Sequence, residues 1–237
     1  DAPIQRERIH SATHRIPVDG VLPFFVEKDR ARRKLQAWIE SRWFAPNEFL
    51  RRSIDGKFDG IYMPFWTYDS MTFNVYEGQR GEDYTVVVGS GKDQRTETHT
   101  RWYSVSGQFQ RFFNDVLICA ADGVPEQLID KLAPWPMEKL IPFTQQVLSG
   151  FFARTYDVKL DAGFNEARER IRVELEADTC RRIGGDHQRI DSLKTRHDAI
   201  TFKHLLLPIW TLAYRFHDKT YRVFVNAATG EVQGERP

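Results

Sequence analysis

The sequence feature that most constrains the fold is a ten-residue pattern that recurs in the chain with partial identity. Residues 58–67 (Phe-Asp-Gly-Ile-Tyr-Met-Pro-Phe-Trp-Thr) align without gaps on residues 202–211 (Phe-Lys-His-Leu-Leu-Leu-Pro-Ile-Trp-Thr). Because proline cannot donate to a strand ladder, each copy predicts a strand entry, an edge or a bulge at its proline. The repeat predicts two equivalent strand elements whose Trp66 and Trp210 pack in one core. A ligand cleft lined by both tryptophans is the alternative.

Strand patterns surround the first copy of the repeat. β-branched and aromatic residues are dense over 58–88, and the segment 77–81 (Glu-Gly-Gln-Arg-Gly) predicts a turn within that stretch. Residues 89–95 are rich in Gly and polar residues and predict a loop. Strict alternation over 96–105 then predicts a further strand. The C-terminal stretch, 187–232, is typical of antiparallel strands that end in a hairpin.

Two helices are predicted from apolar residues spaced three or four positions apart. The first spans about 28–43. The second spans about 161–183, with Asp161 as its N-cap and Gly184-Gly185 as a left-handed stop. The predicted buried stripes are Ala31, Leu35, Trp38 and Ile39 in the first helix, and Phe164, Ala167, Ile171 and Leu175 in the second. We therefore expect an α+β fold in which antiparallel sheets are covered by two main helices.

The distribution of prolines divides the chain into three sections. The middle section, 122–160, contains four prolines and predicts a compact irregular connection. It separates an N-terminal half, 1–121, from a C-terminal half, 161–237. The 237 residues suffice for one large domain or two small ones that share a core, and we expect one compact unit.

Charge, cysteine content and hydropathy narrow the functional classes. The net charge of +1 gives no overall attraction to nucleic acid, so such affinity would require local clusters. Cys119 and Cys180 lie far apart, which excludes a disulfide framework and favours buried free thiols in a reducing, cytoplasmic compartment. The most apolar stretch, 205–214, is about half the ~20 residues that a membrane helix needs, so we expect no membrane association.

No common catalytic or metal-binding motif occurs in the sequence. The P-loop, the dinucleotide-binding glycine motif, HExxH and GxSxG are all absent, so we assign no catalytic residue. His10 and His14 have the i, i+4 spacing of metal ligands, but Pro17 follows closely and makes a helix there doubtful. We therefore predict no metal and no other cofactor in this chain.

The segment 183–190 (Ile-Gly-Gly-Asp-His-Gln-Arg-Ile) is the most site-like polar stretch. Its candidate site residues are Asp186, His187 and Arg189. Their position after two glycines favours a helix cap in which Asp186 accepts bonds from nearby amides. A polar binding or catalytic role for Asp186 and His187 is an alternative. A second is Cys180 acting as a nucleophile paired with His187.

Positive charge is concentrated on and beyond the first predicted helix. Residues 28–57 contain nine Lys and Arg against four Asp and Glu. The candidate binding residues are Arg30, Arg32, Arg33, Lys34, Arg51 and Arg52. Trp38, Trp43 and Phe44 interleave with these charges, a mixture that suits phosphate contacts and base stacking. Docking of a partner protein and a merely solvated helix face are the other interpretations.

Six strings, taken in order over nearly the whole chain, match a known family. They are VLPF (21–24), WIxxRWFAPN (38–47), YMPFWTYD (62–69), IGGDxQ (183–188), ITFKHxLLPIW (200–210) and VNAxTGEVxGExP (225–237). The chain resembles the C-terminal region of bacterial TFIIB-type zinc-ribbon proteins, often labelled primosomal protein N-prime-like or helicase-like. The closing string is also similar to the terminal hairpin of PepSY-like domains.

The resemblance implies a short cysteine-rich ribbon before this region, so zinc is expected there and the chain is expected to start within a longer protein. It carries over no established reaction, and the nucleotide-binding motifs of a helicase are absent. We therefore expect a non-enzymatic binding or scaffolding module with a protein partner. The runner-up is direct nucleic-acid binding through the basic helix, in DNA replication or repair. An uncharacterised enzyme ranks third.

Overall fold

A computed structural model describes residues 15–41, 57–216 and 219–235. Within these ranges the chain forms a mixed eight-stranded sheet and three α-helices, which confirms an α+β fold dominated by its sheet. The helices are α1 (Lys28–Glu40), α2 (Glu126–Asp130) and α3 (Leu160–Ile183). The strands are β1 (Gly20–Val21), β2 (Lys57–Val88), β3 (Arg95–Cys119), β4 (Ile141–Pro142), β5 (Phe152–Ala153), β6 (His187–Phe216), β7 (Lys219–Asn226) and β8 (Val232–Gly234).

The chain folds into two compact units that are interleaved along the sequence. Unit 1 comprises Asp1–Pro64, Gln127–Arg154 and His204–Pro237, and unit 2 comprises Phe65–Glu126 and Thr155–Lys203. β2 and β6 each contribute residues to both units. The units therefore do not follow the order of the three predicted sections.

Unit 1 has its core between α1 and the C-terminal strands. The buried residues of α1 are Ala31, Leu35 and Ile39, which recur every four positions and belong to one cluster with Val223 and Val225 of β7. This confirms the predicted helix over Lys28–Glu40, whereas the predicted residues 42 and 43 lie outside the described residues. Burial of one apolar stripe is what holds such a short helix in place.

The predicted C-terminal hairpin is confirmed in β7 and β8. These strands pair antiparallel from Val225–Val232 to Val223–Gly234. Asn226 Oδ1 accepts the backbone N–H groups of Ala228 at 2.8 Å and Thr229 at 3.1 Å, and this closes the turn.

Two short parallel pairings correct the expectation of purely antiparallel sheets. β1 pairs in parallel with Leu205 and Leu206 of β6. β5 pairs in parallel with Ile61 and Tyr62 of β2. Parallel neighbours must be joined by a long crossover connection, and the alternation pattern of a strand does not reveal which distant strand it will meet.

Unit 2 is an antiparallel sheet with α3 packed on one face. β2 and β3 pair continuously from Ser70–Phe113 to Val88–Arg95, and the chain reverses at the predicted loop after Val88. The predicted turn at 77–81 is wrong because β2 runs straight through it. A Cβ at Gly78 would lie 2.4 Å from the Arg189 carbonyl oxygen, so this glycine permits close approach of backbone rather than a turn.

α3 confirms the second predicted helix with a correction at its first turn. The helix begins at Leu160 with Lys159 at the N-cap, so the predicted Asp161 cap is wrong; Asp161 lies in the first turn. Its buried residues are Gly163, Ala167, Ile171, Leu175, Thr179 and Ile183. Phe164 is half-buried. Gly184 and Gly185 end the helix with positive φ values of 67° and 78°, but Gly184 has a ψ of −162° and therefore lies outside the left-handed helical region of the prediction.

The two tryptophans of the repeat are buried in different units. Trp66, in unit 2, donates from Nε1 to the Val158 carbonyl at 2.9 Å and lies 4.9 Å from the ring of Tyr156. Trp210, in unit 1, donates to the Val26 carbonyl at 2.7 Å and stacks on Phe58. The prediction of one shared core is therefore wrong. The open tryptophan cleft is also wrong, because the exposed fractions are 0% and 6%.

Candidate binding surface

The basic residues of α1 form an exposed cationic surface on unit 1. Arg30, Arg32 and Arg33 are exposed, and Lys34 is half-buried. Within the described ranges none of these four residues forms an ion pair with a carboxylate. We call these four residues the α1 cationic surface. The other two candidates, Arg51 and Arg52, lie outside the described residues.

Two of the four cations lie against the body of unit 1. The guanidinium carbon of Arg32 is 5.8 Å from the centroid of the Phe58 ring, at the outer limit of a cation–π contact. A Cβ placed at Gly230 would come within 2.5 Å of Lys34 Cδ, so the Lys34 stem runs along the C-terminal hairpin turn. Arg30 and Arg33 have no such support. They are the two cations of the surface that are best placed to reach a partner.

Of the three aromatic residues predicted to stack on bases, the structure describes only Trp38. Trp38 is half-buried and packs on the core of unit 1. Phe25, just before the helix, is 45% exposed, but the Lys139 ammonium lies 5.2 Å from its ring. Trp43 and Phe44 lie outside the described residues. Among the described residues the surface is therefore cationic without a bare stacking platform.

The polar residues after α3 form hydrogen bonds to β2 within unit 2. We call Asp83, Asp186 and His187 the Asp83 cluster. Asp186 Oδ2 accepts the Asp83 N–H at 2.8 Å, and the Asp186 N–H donates to the Gly81 carbonyl at 2.8 Å. His187 Nε2 lies 3.1 Å from Asp83 Oδ2. The predicted cap interaction of Asp186 with backbone amides is thus made, but with β2 rather than with its own helix end.

Asp83 is the centre of the Asp83 cluster, and the sequence did not indicate it as a site residue. The Thr100 hydroxyl donates to Asp83 Oδ1 at 2.6 Å, and this bond is the main cause that lowers the Asp83 pKa; burial opposes it, and His187 adds to the lowering. The third candidate, Arg189, places its guanidinium 4.0 Å from the ring centroid of Trp102. These contacts fasten the start of β6 to β2 and β3. They fit the structural interpretation of these three residues.

A cleft of about 610 Å³ lies elsewhere in unit 2, between α3 and β6. Cys180 and His197 line it, whereas Asp186 and His187 do not. His197 Nδ1 is 3.1 Å from Ser70 Oγ, and burial, together with the charge of Arg168, lowers the His197 pKa. Because His187 is engaged with Asp83, the structure does not bring it to Cys180 as a base.

The two thiols and the candidate metal ligands have different outcomes. Cys119 is buried as predicted, but Cys180 is only half-buried, which corrects the expectation of two buried thiols. In the part of the chain that the structure describes, no three His, Cys, Asp or Glu residues are grouped to hold a metal ion. His10 and His14 lie outside that part. None of the helices in the described ranges has the length and apolar character needed to traverse a bilayer.

Sequence reasoning missed an exposed apolar cluster on the face of the unit 2 sheet opposite α3. Val75 of β2 and Phe112 of β3 are each 52% exposed, and half-buried Met71 and Phe73 lie on the same face. The Arg196 guanidinium lies 4.6 Å from the Phe73 ring. The alternation of Met71, Phe73 and Val75 with polar residues was the available indication. An exposed cluster of this kind is a common feature of protein-binding surfaces.

Comparison with known proteins adds one distant similarity. The chain is 24% identical over 222 residues to the uncharacterised protein YdjG of Bacillus subtilis (strain 168). The alignment covers 92% of this chain and 63% of YdjG, so the chain spans less than two thirds of that relative. No family model matches the chain. No solved structure matches it either.

Proposed function

We propose that this chain is a non-enzymatic protein-binding module that holds an acidic segment of a partner protein on the α1 cationic surface. The observation that supports it is the absence, among the described residues, of any carboxylate paired with Arg30, Arg32, Arg33 or Lys34. Like charges at i, i+4, such as Arg30 and Lys34, destabilise an isolated helix. Carboxylates of a partner would relieve this repulsion and give the encounter both speed and specificity.

Nucleic-acid binding through the same residues is the second candidate. The guanidinium groups of Arg30 and Arg33 suit phosphate as well as carboxylate. The observation that ranks it lower is the state of the nearby aromatics. Trp38 packs on the core and Phe25 carries Lys139 over its ring, so neither of these two described aromatics of α1 and its N-terminal end offers a base a free stacking surface.

The proposal also includes a longer, zinc-containing protein of which this region is part, and a cytoplasmic location. The resemblance to zinc-ribbon proteins suggests that the acidic partner is held by the body of a longer protein whose zinc lies outside this chain. The free thiols of Cys119 and Cys180 favour a reducing, cytoplasmic location. Metal analysis of the full gene product tests the first point: about one zinc per chain is expected, with none retained by this region alone.

The binding proposal is tested by fluorescence anisotropy with two labelled probes, an oligo-glutamate peptide and a single-stranded DNA oligonucleotide. We expect the peptide to bind at low salt and the double variant Arg30→Glu/Arg33→Glu to bind it at least about 10-fold more weakly. The matched control is Lys131→Glu/Lys194→Glu, which changes the net charge equally at two exposed residues away from α1.

The two probes separate the two candidates. Preference for the peptide, lost in the α1 variant and kept in the control, supports the protein-binding proposal. Tighter binding of the DNA, with a steep salt dependence that the α1 variant flattens, supports the second candidate instead. Equal losses in both variants would mean that only net charge matters, and this would overturn the assignment to α1.

A further inference from the structure

The outer edge of β3 is an unpaired strand edge in unit 2. β3 is the terminal strand of the sheet, whose order is β3-β2-β6-β1-β4. From Arg95 to Phe113 its backbone is hydrogen-bonded to β2 alone, as far as the described residues extend. Further along, the Leu117 carbonyl accepts a bond from Arg170 Nη1 at 3.1 Å. The stretch before it presents a row of N–H and C=O groups that another strand can pair with.

This edge lacks the features that usually prevent pairing between chains. Edge strands are commonly protected by proline, lysine, inward charges or bulges. β3 contains no proline and no lysine, and its irregular residue, Asp115 with φ 52°, lies beyond the free stretch. The segment from Trp102 to Gln110 carries no charge. The side chains on the face away from α3 are Thr96, Thr98, Thr100, Trp102, Ser104, Ser106, Gln108, Gln110 and Phe112, and all are uncharged.

We propose that this edge pairs antiparallel with the same edge of a second copy of the chain, about a two-fold axis at Ser104. In this register Ser104 faces Ser104, and Glu97 faces Arg111 of the second copy. Centring the pair on Tyr103 would instead set Arg95 opposite Arg111, and centring it on Ser106 would set Arg101 opposite Arg111. Like charges directly opposite each other are destabilising, so charge complementarity favours the register at Ser104 over these two.

The charges around Arg111 favour the arrival of one more carboxylate. Arg111 pairs with Glu174 and Asp178 of α3, and Asp178 also pairs with Arg181. Arg182 lies with its guanidinium 4.3 Å from the Phe109 ring and has no carboxylate partner among the described residues. This cluster of three arginines and two acids carries an excess positive charge. Glu97 of the second copy, which pairs with Arg95 of its own chain at 2.7 Å, would bring a further carboxylate to this cluster.

The position of α3 leaves room for this pairing. The β3 residues that pack under α3 are Val105, Phe109, Phe113 and Val116. Rotation about Ser104 sets these residues of one copy beside the stretch that precedes Ser104 in the other. The two α3 helices then cover opposite ends of the junction. The product is one continuous sheet with the strand order β6-β2-β3-β3-β2-β6, and it is independent of the proposal for α1.

Symmetric cross-linking tests the axis. In a Cys180→Ser background, Ser104→Cys places two thiols opposite each other, and mild oxidation is expected to give a covalent dimer. Gln108→Cys is the matched control, since it is exposed on the same strand face. Its two copies would lie eight residues apart along the pair, about 27 Å, and we expect no cross-link. Cross-linking of Gln108→Cys as readily as Ser104→Cys would overturn the register.

Light scattering coupled to gel filtration tests the dimer without a cysteine. We expect the mass of two chains for the wild type, and a dimer at least about 10-fold weaker for Ser104→Lys, which sets two ammonium groups opposite each other. Gln79→Lys, on the neighbouring β2 and directly beside Ser104, should leave the dimer intact. Both variants should keep the wild-type circular dichroism. A single-chain mass for the wild type, or an unaffected Ser104→Lys dimer, would overturn the proposal.

Discussion

The two long helices bury similar rows of residues but differ in whether their exposed arginines are paired with carboxylates. α1 and α3 each bury apolar residues at every fourth position. On α3, Arg170 bonds Glu126 at 2.9 Å and Glu166 at 3.1 Å, and Arg172 and Arg181 also pair with acids on the same helix. On α1 no arginine has such a partner in the described residues. The number of arginines therefore does not set how much uncompensated charge a helix displays; the placement of neighbouring carboxylates does.

The number of acidic residues on each helix, more than their spacing, accounts for this difference. α3 contains Glu166, Glu169 and Glu176 three or four positions from an arginine, so each pair meets on one face of the helix. α1 has only Asp29 and Glu40, at its two ends. Asp29 stands four positions before Arg33, which is the spacing of a pair, but the described residues form no such pair. Glu40 accepts a bond from Gln36 at 2.8 Å. Exposed pairs of this kind add little stability, but they cancel the field that a charged partner would sense.

The largest expected effect tests whether the two helices are anchored equally. Leu35→Ala in α1 and Leu175→Ala in α3 each remove a buried side chain, with exposed fractions of 5% and 1%. Each should lower the free energy of unfolding by about 3 kcal/mol, from lost burial and an unfilled cavity. Urea denaturation measures both. A loss below about 1 kcal/mol for Leu35→Ala would break the comparison, because α1 would then not be held by its buried row.

Removal of the Arg170 side chain from α3 should lower the free energy of unfolding more than removal of an arginine from an exposed ion pair. Arg170 binds two carboxylates and the Leu117 carbonyl, so Arg170→Ala leaves three acceptors without their donor. We expect a loss of about 2 kcal/mol in the free energy of unfolding. Arg172→Ala is the control, with a side chain that is 52% exposed, and should cost about 0.5 kcal/mol or less. Equal losses for Arg170→Ala and Arg172→Ala would show that the additional contacts of Arg170 contribute nothing to the free energy of unfolding.

The same network predicts a pH dependence of the free energy of unfolding. Burial, then the hydrogen bond to Glu126 and its charge, raise the Glu166 pKa to about 7, against the opposing effect of Arg170. The folded state therefore binds more protons than the unfolded state between about pH 4.5 and 7, and stability falls as the pH rises through this window. Glu166→Gln should remove the fall and add about 1 kcal/mol at pH 8, allowing for partial exposure.

Urea melts at pH 5 and pH 8 measure this effect. Glu77→Gln makes the same chemical change at an exposed residue of β2 and should retain the wild-type pH dependence. A wild-type free energy of unfolding that stays constant or rises from pH 5 to pH 8, with the same pH dependence in Glu166→Gln, would contradict the prediction.

The smallest expected effect is the stability change from removing a cation of α1. Arg33→Ala should change the free energy of unfolding by less than about 0.5 kcal/mol, because Arg33 is exposed and has no ion pair among the described residues. Thermal denaturation measures it. A loss as large as that of Arg170→Ala would mean that α1 is braced through Arg33, and the contrast between the helices would disappear.

Local sequence patterns correctly predicted much of the secondary structure. The helical spacing gave α1 and α3, the paired glycines gave the end of α3, and the alternation over 96–105 gave part of β3. The turn predicted at 77–81 was wrong, because the glycines that favour a turn also allow a strand to lie very close to a neighbouring backbone. At the candidate sites, the exposed cations of α1 were foreseen, whereas Asp83 was not, since its partner Asp186 is 103 positions away.

The sequence by itself determined the periodicity of the two long helices, the glycines that end α3, and the excess of positive charge on α1, because these depend on neighbours within about one or two turns of chain. Only the tertiary structure decided the parallel partners of β1 and β5, the separate burial of Trp66 and Trp210, and the free edge of β3. Those features depend on which distant segments meet. That choice is made by the packing of the whole core and by the entropy of closing long loops, and no local pattern carries it.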